Sequence, residues 1–251
     1  MELALIAKAV VEKDSRLYGG RPLLFRGQNH EYLLGRKPAA LDLLYEDPFA
    51  LEPSLLPSQS RRVSGHNAVA AFNATLQSLL SSLVDLKAGE VRIWPTRFGD
   101  YVKTGIAQHY GLATPALDLT TDLSTAVWFA LNQLGHGKGQ KLETTSVPDE
   151  QLSVIYFFVP NTRNFQTIEV GGSMKMRQVA QHGWLHTSGW GLRQNRIAES
   201  LMLAVYLPGA LAASLSGHLP TSEDLFLTNK SMPQSQFSGG KEKLPKIFHH
   251  L

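Results

Sequence analysis

The sequence predicts an α+β fold, a single domain in which helices flank a mainly antiparallel mixed sheet. The strongest strand signal is the continuous β-branched and aromatic run at 153–159, which Pro160 ends. Apolar side chains at helical spacing predict one helix over 66–86 and another over 124–134. Strands and helices do not alternate regularly along the chain, which disfavours a parallel β/α arrangement.

Composition and charge narrow the class of protein. The chain has 251 residues, of which 43% are hydrophobic and 18% charged, enough to bury a core. A net charge of only +3 does not by itself argue for a nucleic-acid partner. The absence of cysteine excludes disulfides and thiolate catalysis and fits a reducing compartment. Early charges and the lack of a long apolar run argue against a signal peptide or a membrane span, so we expect a soluble, cytoplasmic protein.

The remaining elements follow from local composition. We expect a helical N-terminal extension at 1–21, a main domain at 22–230 and a polar tail at 231–251. Shorter strands are predicted at 23–28, 115–119, 179–185 and 200–206, and shorter helices at 98–107 and 209–216. Loops are predicted where turn formers concentrate, at 29–53, 135–151 and 166–177.

The most informative segment is 108–130. Its polar start, Gln-His-Tyr, runs into a turn at Gly111, and a short strand then leads to Thr120, Thr121 and Asp122 at the start of an apolar helix. Backbone N–H groups point outward at a helix start and favour electron-rich ligands. Either Thr121 or Asp122 is expected to cap the helix; capping is the favoured role for Thr121, whereas Thr120 is the better candidate for a binding residue.

Four motif blocks follow one another along the chain: Phe-Arg-Gly-Gln at 25–28, Pro-Ser-Leu-Leu at 53–56, the segment 108–130, and a Gln-rich turn ending in Gly-Trp at 177–184. Together they resemble the FRG domain family, which is named for its Phe-Arg-Gly motif. The resemblance implies that the FRG domain spans 22–230.

The order of these blocks is in turn similar to the layout of ADP-ribosyltransferases. That likeness implies an ADP-ribosyltransferase-like fold and NAD as the substrate. Arg26 would grip the pyrophosphate or the nicotinamide ribose, and Thr120 or Thr121 would bond a ribose hydroxyl. Gln181 would occupy the position of the catalytic carboxylate on a later strand. The acceptor would be a protein or a nucleic acid, in a toxin or phage-conflict setting.

The candidate residues fall into two groups. The catalytic candidates are Arg26, His109 and Gln181. The candidates for binding NAD are Arg26, Gln28, Tyr110, Thr120, Thr121 and Gln178. His109 suits general acid–base chemistry because its ordinary pKa is about 6.5. No metal is expected, since no Glu separates His182 from His186 as the zinc-protease motif requires.

Several alternatives stay open. Arg26 can equally organise the fold through a carboxylate such as that of Asp118, and His109 and Tyr110 can be packing residues. Gln181 keeps a hydrogen bond to ribose but lacks the charge that transfer needs, with Glu169 and Glu199 as the nearest acids. The amide at this position favours a non-catalytic module that binds a nucleotide or nucleic acid on the same scaffold. A purely structural interaction domain is the third possibility, and the oligomeric state is open.

Overall fold

The computed structural model describes residues 22–35, 51–57, 114, 116–136, 142–160, 164–167, 180–187 and 196–226. The strands are β1 (Leu24–Gln28), β2 (Leu33–Gly35), β3 (Leu51–Pro53), β4 (Ala116–Thr120), β5 (Asn132–His136), β6 (Leu142–Ser146), β7 (Leu152–Phe158), β8 (Phe165–Thr167), β9 (Gly183–Thr187) and β10 (Leu201–Pro208). The helices are α1 (Leu123–Leu131), α2 (Leu211–Leu215) and α3 (Ser222–Phe226), with 3₁₀ turns at Arg196–Ser200 and Ser216–His218. The helical extension expected at 1–21, the helices expected at 66–86 and 98–107, and the tail at 231–251 lie outside these ranges.

Six strands form one sheet in the order β10-β7-β1-β4-β9-β8. Every neighbouring pair in it is antiparallel. Two antiparallel ribbons, β2 with β3 and β5 with β6, accompany the sheet. The prediction of an α+β fold with a mainly antiparallel sheet is therefore confirmed. Among the described residues, no helix is long and apolar enough to cross a membrane.

The strands expected from composition near 23–28, 115–119, 153–159 and 200–206 are present as β1, β4, β7 and β10. The loop prediction for 135–151 is wrong, because β6 pairs with β5 along its whole length. The same pairing ends α1 at Leu131 rather than at 134, since Asn132 is already extended. The loops predicted at 29–53 and 166–177 also overlap short strands, β2, β3 and β8.

The strand predicted at 179–185 begins later than expected. Gln181 and His182 form a turn, and the strand runs from Gly183 to Thr187. His182 has a φ of 47°, in the left-handed region, which interrupts an extended backbone. Gln181 consequently does not lie on a strand.

The two faces of the sheet carry separate cores because side chains alternate along each strand. On one face α1 packs its Ala126 and Ala130 against Phe25, Ile155 and Phe157. We call this the helix face. The opposite face carries a second buried cluster that includes Leu24, Leu55, Leu117, Leu119, Tyr156 and Phe158.

Gly27 is where α1 approaches the sheet most tightly. A Cβ atom at this position would overlap the carbonyl oxygen of Ala126 and would lie 2.7 Å from the backbone nitrogen of Ala130. Both obstacles are helix backbone, which cannot move aside as a flexible side chain can. The glycine of the Phe-Arg-Gly motif is therefore required for the contact between strand and helix.

We predict that Gly27→Ala lowers the free energy of unfolding by about 3 kcal/mol or more, because overpacking against backbone forces the helix away from the sheet. Urea denaturation followed by circular dichroism measures the change. Gly217→Ala is the matched control, since a Cβ there has nothing within 4 Å, and it should stay within about 0.5 kcal/mol of the unsubstituted protein. Equal losses in the two variants would contradict the argument.

Candidate functional site

The helix start that follows β4 is capped by Asp122. Its carboxylate accepts hydrogen bonds from the backbone nitrogens of Ser124, at 3.2 Å, and Thr125, at 3.0 Å. The hydroxyls of the same two residues also donate to it, at 2.7 and 2.6 Å. Of the two expected cap residues, Asp122 is confirmed, and the capping role favoured for Thr121 is wrong. One carboxylate satisfies two helix N–H groups together with two hydroxyls, which a single threonine hydroxyl cannot do.

Thr120 joins the motif block at 108–130 to the block at 177–184. Its hydroxyl donates to the backbone carbonyl of Gln181 at 2.7 Å and accepts from the backbone nitrogen of Asp122 at 2.9 Å. The backbone nitrogen of Thr121 donates to the carbonyl of His182 at 3.2 Å. The strand-to-helix junction and the Gln-rich turn are thus adjacent. Thr120, only 5% exposed, uses its hydroxyl to hold them together.

Gln181 makes a side-chain hydrogen bond to α3, the last helix that the structure describes. Its side chain is buried, and its Nε2 donates to the backbone carbonyl of Leu225 at 3.0 Å. Leu225 and Phe226 in α3 pack in turn against Trp128 of α1. The amide group that sequence reasoning assigned to catalysis therefore has a structural contact in this fold.

Arg26 connects the motif block at 25–28 to the block at 108–130. Its Nη1 donates to the backbone carbonyl of Asp118 at 2.6 Å. The ladder between β1 and β4 contains one registered pair, Phe25 with Thr120. The guanidinium reaches a carbonyl of β4 just beyond that pair. This contact supports a fold-organising role for Arg26, through the backbone of Asp118.

The predicted site residues divide between the two faces of the sheet. Thr120 lies opposite Phe25, whose side chain is on the helix face. Arg26 lies opposite Tyr156, which belongs to the cluster on the other face. The structure thus brings Thr120 and Gln181 together. It places Arg26, and Gln28 two residues further along β1, on the opposite face.

A group of polar side chains surrounds Arg26 on that face. We call it the polar cluster and define it as Arg26, Gln28, Glu31, Tyr156 and Tyr206. The hydroxyl of Tyr206 donates to Oε1 of Glu31 at 2.8 Å. Sequence reasoning missed Tyr156, because it stands inside an apolar strand where an aromatic residue indicates only packing. Its phenolic oxygen was the one signal available, since a buried tyrosine hydroxyl needs a hydrogen-bond partner.

Burial raises the pKa of Tyr156 above its ordinary value of 10.0. The charge of Glu31 and the neighbouring Tyr206 raise this pKa further, while the charge of Arg26 acts in the opposite direction. Tyr156 consequently keeps its proton at neutral pH and can donate a hydrogen bond. Arg26 is the cross-strand partner of Tyr156, and Glu31 is hydrogen-bonded to Tyr206.

Other candidates are placed elsewhere or outside the described residues. His109, Tyr110, Gln178 and Glu169 lie outside them. Glu199 is exposed on the 3₁₀ turn before β10. His182 is exposed, whereas His186 is buried with its ring centroid 4.6 Å from that of Phe165. In the part of the chain that the structure describes, no three acidic or histidine side chains gather in a way that could hold a metal ion.

The cap predicts a pH dependence of stability. Burial acts to raise the pKa of Asp122, but the hydrogen bonds from Thr125 and Ser124 together lower it below its ordinary value of 3.8. A carboxyl whose pKa is lower in the folded state stabilises the fold above the unfolded-state pKa. That stabilisation is lost as the pH falls through the folded-state pKa.

We therefore expect Asp122→Ala to lower the free energy of unfolding by about 1–2 kcal/mol at neutral pH. The difference from the unsubstituted protein should shrink as the pH drops below 3.8. Urea titrations at a series of pH values measure both effects. Asp149→Ala, at an exposed turn position, is the control and should change little at any pH. A difference that stays constant in acid would rule out the ionised carboxylate as its source.

Comparison with known proteins gives one match. Residues 45–138 match the family model of the FRG domain. The match includes the Pro-Ser-Leu-Leu block and the segment 108–130, and it lies within the predicted boundaries 22–230. No curated protein and no solved structure matches the chain. The resemblance to the FRG domain family that the motif blocks indicated is confirmed by this match over residues 45–138.

Proposed function

We propose that this protein binds a nucleotide at the polar cluster, with NAD as the first candidate ligand. The observation that carries the proposal is the position of Arg26 and Gln28. Both side chains are half-buried, and they leave β1 on the same face of the sheet as the buried Tyr156, which is the cross-strand partner of Arg26. A cation and a carboxamide beside a buried tyrosine suit the phosphate and the ring of a nucleotide.

Arg26 is the anchor for the phosphate. A guanidinium can grip two phosphate oxygens at once, which an ammonium cannot do. Its bond to the carbonyl of Asp118 holds the group in one orientation. An anchor that is already ordered loses less conformational entropy when the ligand binds.

The hydrogen bonds of Thr120 and Gln181 fit a protein that binds a nucleotide without reaction better than one that transfers ADP-ribose. Thr120 and Gln181, which would act on the ribose, make hydrogen bonds within the protein. They also lie away from Arg26, on the other side of the sheet. Gln181 supplies no negative charge to stabilise an oxocarbenium-like transition state.

ADP-ribosyl transfer from NAD to a protein or nucleic-acid acceptor is the second candidate. One observation favours it: three motif blocks meet at β4, where Arg26 contacts Asp118 and Thr120 contacts Gln181. This is the order of blocks that the likeness to ADP-ribosyltransferases implies. Transfer would require Thr120 and Gln181 to exchange their present hydrogen bonds for bonds to the substrate.

Calorimetric titration with NAD tests the proposed binding. We expect the unsubstituted protein to bind and Arg26→Lys to bind about tenfold more weakly, because the lysine keeps the charge but loses the two-pronged grip. Gln28→Ala should also weaken binding, whereas Gln133→Ala, at a half-buried glutamine on β5, should not. Melting curves confirm that each variant is folded. Equal affinity in all four proteins would refute a site at the polar cluster.

Incubation with labelled NAD and cell lysate tests transfer. If the protein is a transferase, the unsubstituted chain labels an acceptor and Arg26→Lys labels it more slowly. If it is a binding module, no label is transferred even at NAD concentrations that saturate the calorimetric signal. Saturated binding without label would eliminate the second candidate and leave the first intact.

A further inference from the structure

We infer that Tyr156 and Gln28 recognise an amide edge of the ligand, that is, a carbonyl oxygen beside an N–H group. The inference rests on the proposed nucleotide binding and specifies which part of the nucleotide these two side chains recognise. Nicotinamide and guanine both present such an edge. Adenine has no carbonyl group and serves as the comparison.

The Tyr156 hydroxyl is one of the enclosed polar atoms of the polar cluster. The side chain is 0% exposed, and among the described residues its oxygen has no hydrogen-bond partner. A buried hydroxyl without a partner destabilises a fold, whereas phenylalanine would fill the same space without that cost. A ligand oxygen that accepts from this hydroxyl would remove the penalty.

Oε1 of Gln28 is another enclosed polar atom of the cluster, and it too accepts no hydrogen bond within the described part of the chain. Gln28 lies two residues from Arg26 on β1, and Arg26 faces Tyr156 across the ladder. The two atoms are therefore diagonal neighbours on one face of the sheet, within reach of long side chains. One is a donor and the other an acceptor, so they match a ligand group that offers an acceptor beside a donor.

The negative charge of Glu31 favours a neutral ligand group over an anionic one beside Tyr156. Its carboxylate accepts a hydrogen bond from the hydroxyl of Tyr206, and its charge acts to raise the pKa of Tyr156. A carboxylate or phosphate placed against Tyr156 would be repelled by this charge. The ligand's phosphate consequently belongs beside Arg26, and the group at Tyr156 and Gln28 is neutral.

Entry to the site is through the half-buried side chains of Arg26 and Gln28. Gln28 is the last residue of β1, so its side chain can turn aside without disturbing the ladder. Such rotamer changes are fast compared with nucleotide binding. The enclosed hydroxyl of Tyr156 is then reached by the ligand.

Tyr156→Phe gives the sharpest test, because its two expected effects have opposite signs. The free protein should melt at the same temperature or higher, since an unpaired hydroxyl is removed. Affinity for nicotinamide mononucleotide or for guanosine monophosphate, whichever the unsubstituted protein prefers over adenosine monophosphate, should fall about tenfold. Gln28→Met, which removes the acceptor at similar volume, should reduce affinity likewise. Tyr32→Phe, at a tyrosine that is 49% exposed and outside the cluster, is the control.

The outcomes separate the two proposals. Preference for an amide-bearing nucleotide that is lost in Tyr156→Phe and Gln28→Met supports the inference. Binding that depends on Arg26 but is unchanged in both variants overturns it and leaves the proposed function standing. Equal binding of all three mononucleotides also overturns it. The absence of any nucleotide binding overturns both proposals.

Discussion

The rest of the structure depends on the backbone contact between β1 and α1 at Gly27. Because no side chain fits between them, the helix crosses the sheet at one fixed place. Alternation along β1 then fixes its neighbours: Phe25 packs under the helix, and Arg26 must leave the sheet on the other side. The three residues of the Phe-Arg-Gly motif are thereby explained by one geometric requirement. The first and third residues of the motif pack against the helix, and the second belongs to the polar cluster.

The same geometry separates residues that the sequence order suggests are partners. Two hydrogen bonds connect β4 to two other motif blocks. Arg26 donates to the carbonyl of Asp118, and the hydroxyl of Thr120 donates to the carbonyl of Gln181. The motif blocks therefore meet through backbone carbonyls, with side chains on opposite faces. Ordered motif spacing in this chain reports how the strands are assembled. It does not by itself place the side chains in one cleft.

Local composition correctly predicted the elements whose structure depends on burial and on the periodicity of nearby residues. The apolar run of β7 and the helix following Thr120 were found, because burial and periodicity dominate there. The errors arise from contacts distant in sequence. The loop predicted at 135–151 contains β6, and α1 ends early at Leu131, because β6 pairs with β5 from Asn132 to His136. Within the candidate site, Arg26 and Gln28 were identified from the motif. Tyr156 was not, because its role depends on which strand lies beside β1.

The hydrogen bonds of Thr120 and Gln181 bear on whether such a fold turns over its ligand. To bond a ribose, Thr120 would have to release Gln181 or Asp122, and Gln181 would have to release Leu225. Each buried group left unpaired costs about 1–3 kcal/mol, so both changes together would consume much of the binding energy of a small ligand. On the opposite face the balance would be reversed, because a bound ligand would give the hydroxyl of Tyr156 a hydrogen-bond partner. The proposed binding at the polar cluster would therefore relieve a cost that the fold already carries, whereas chemistry at Thr120 would add one.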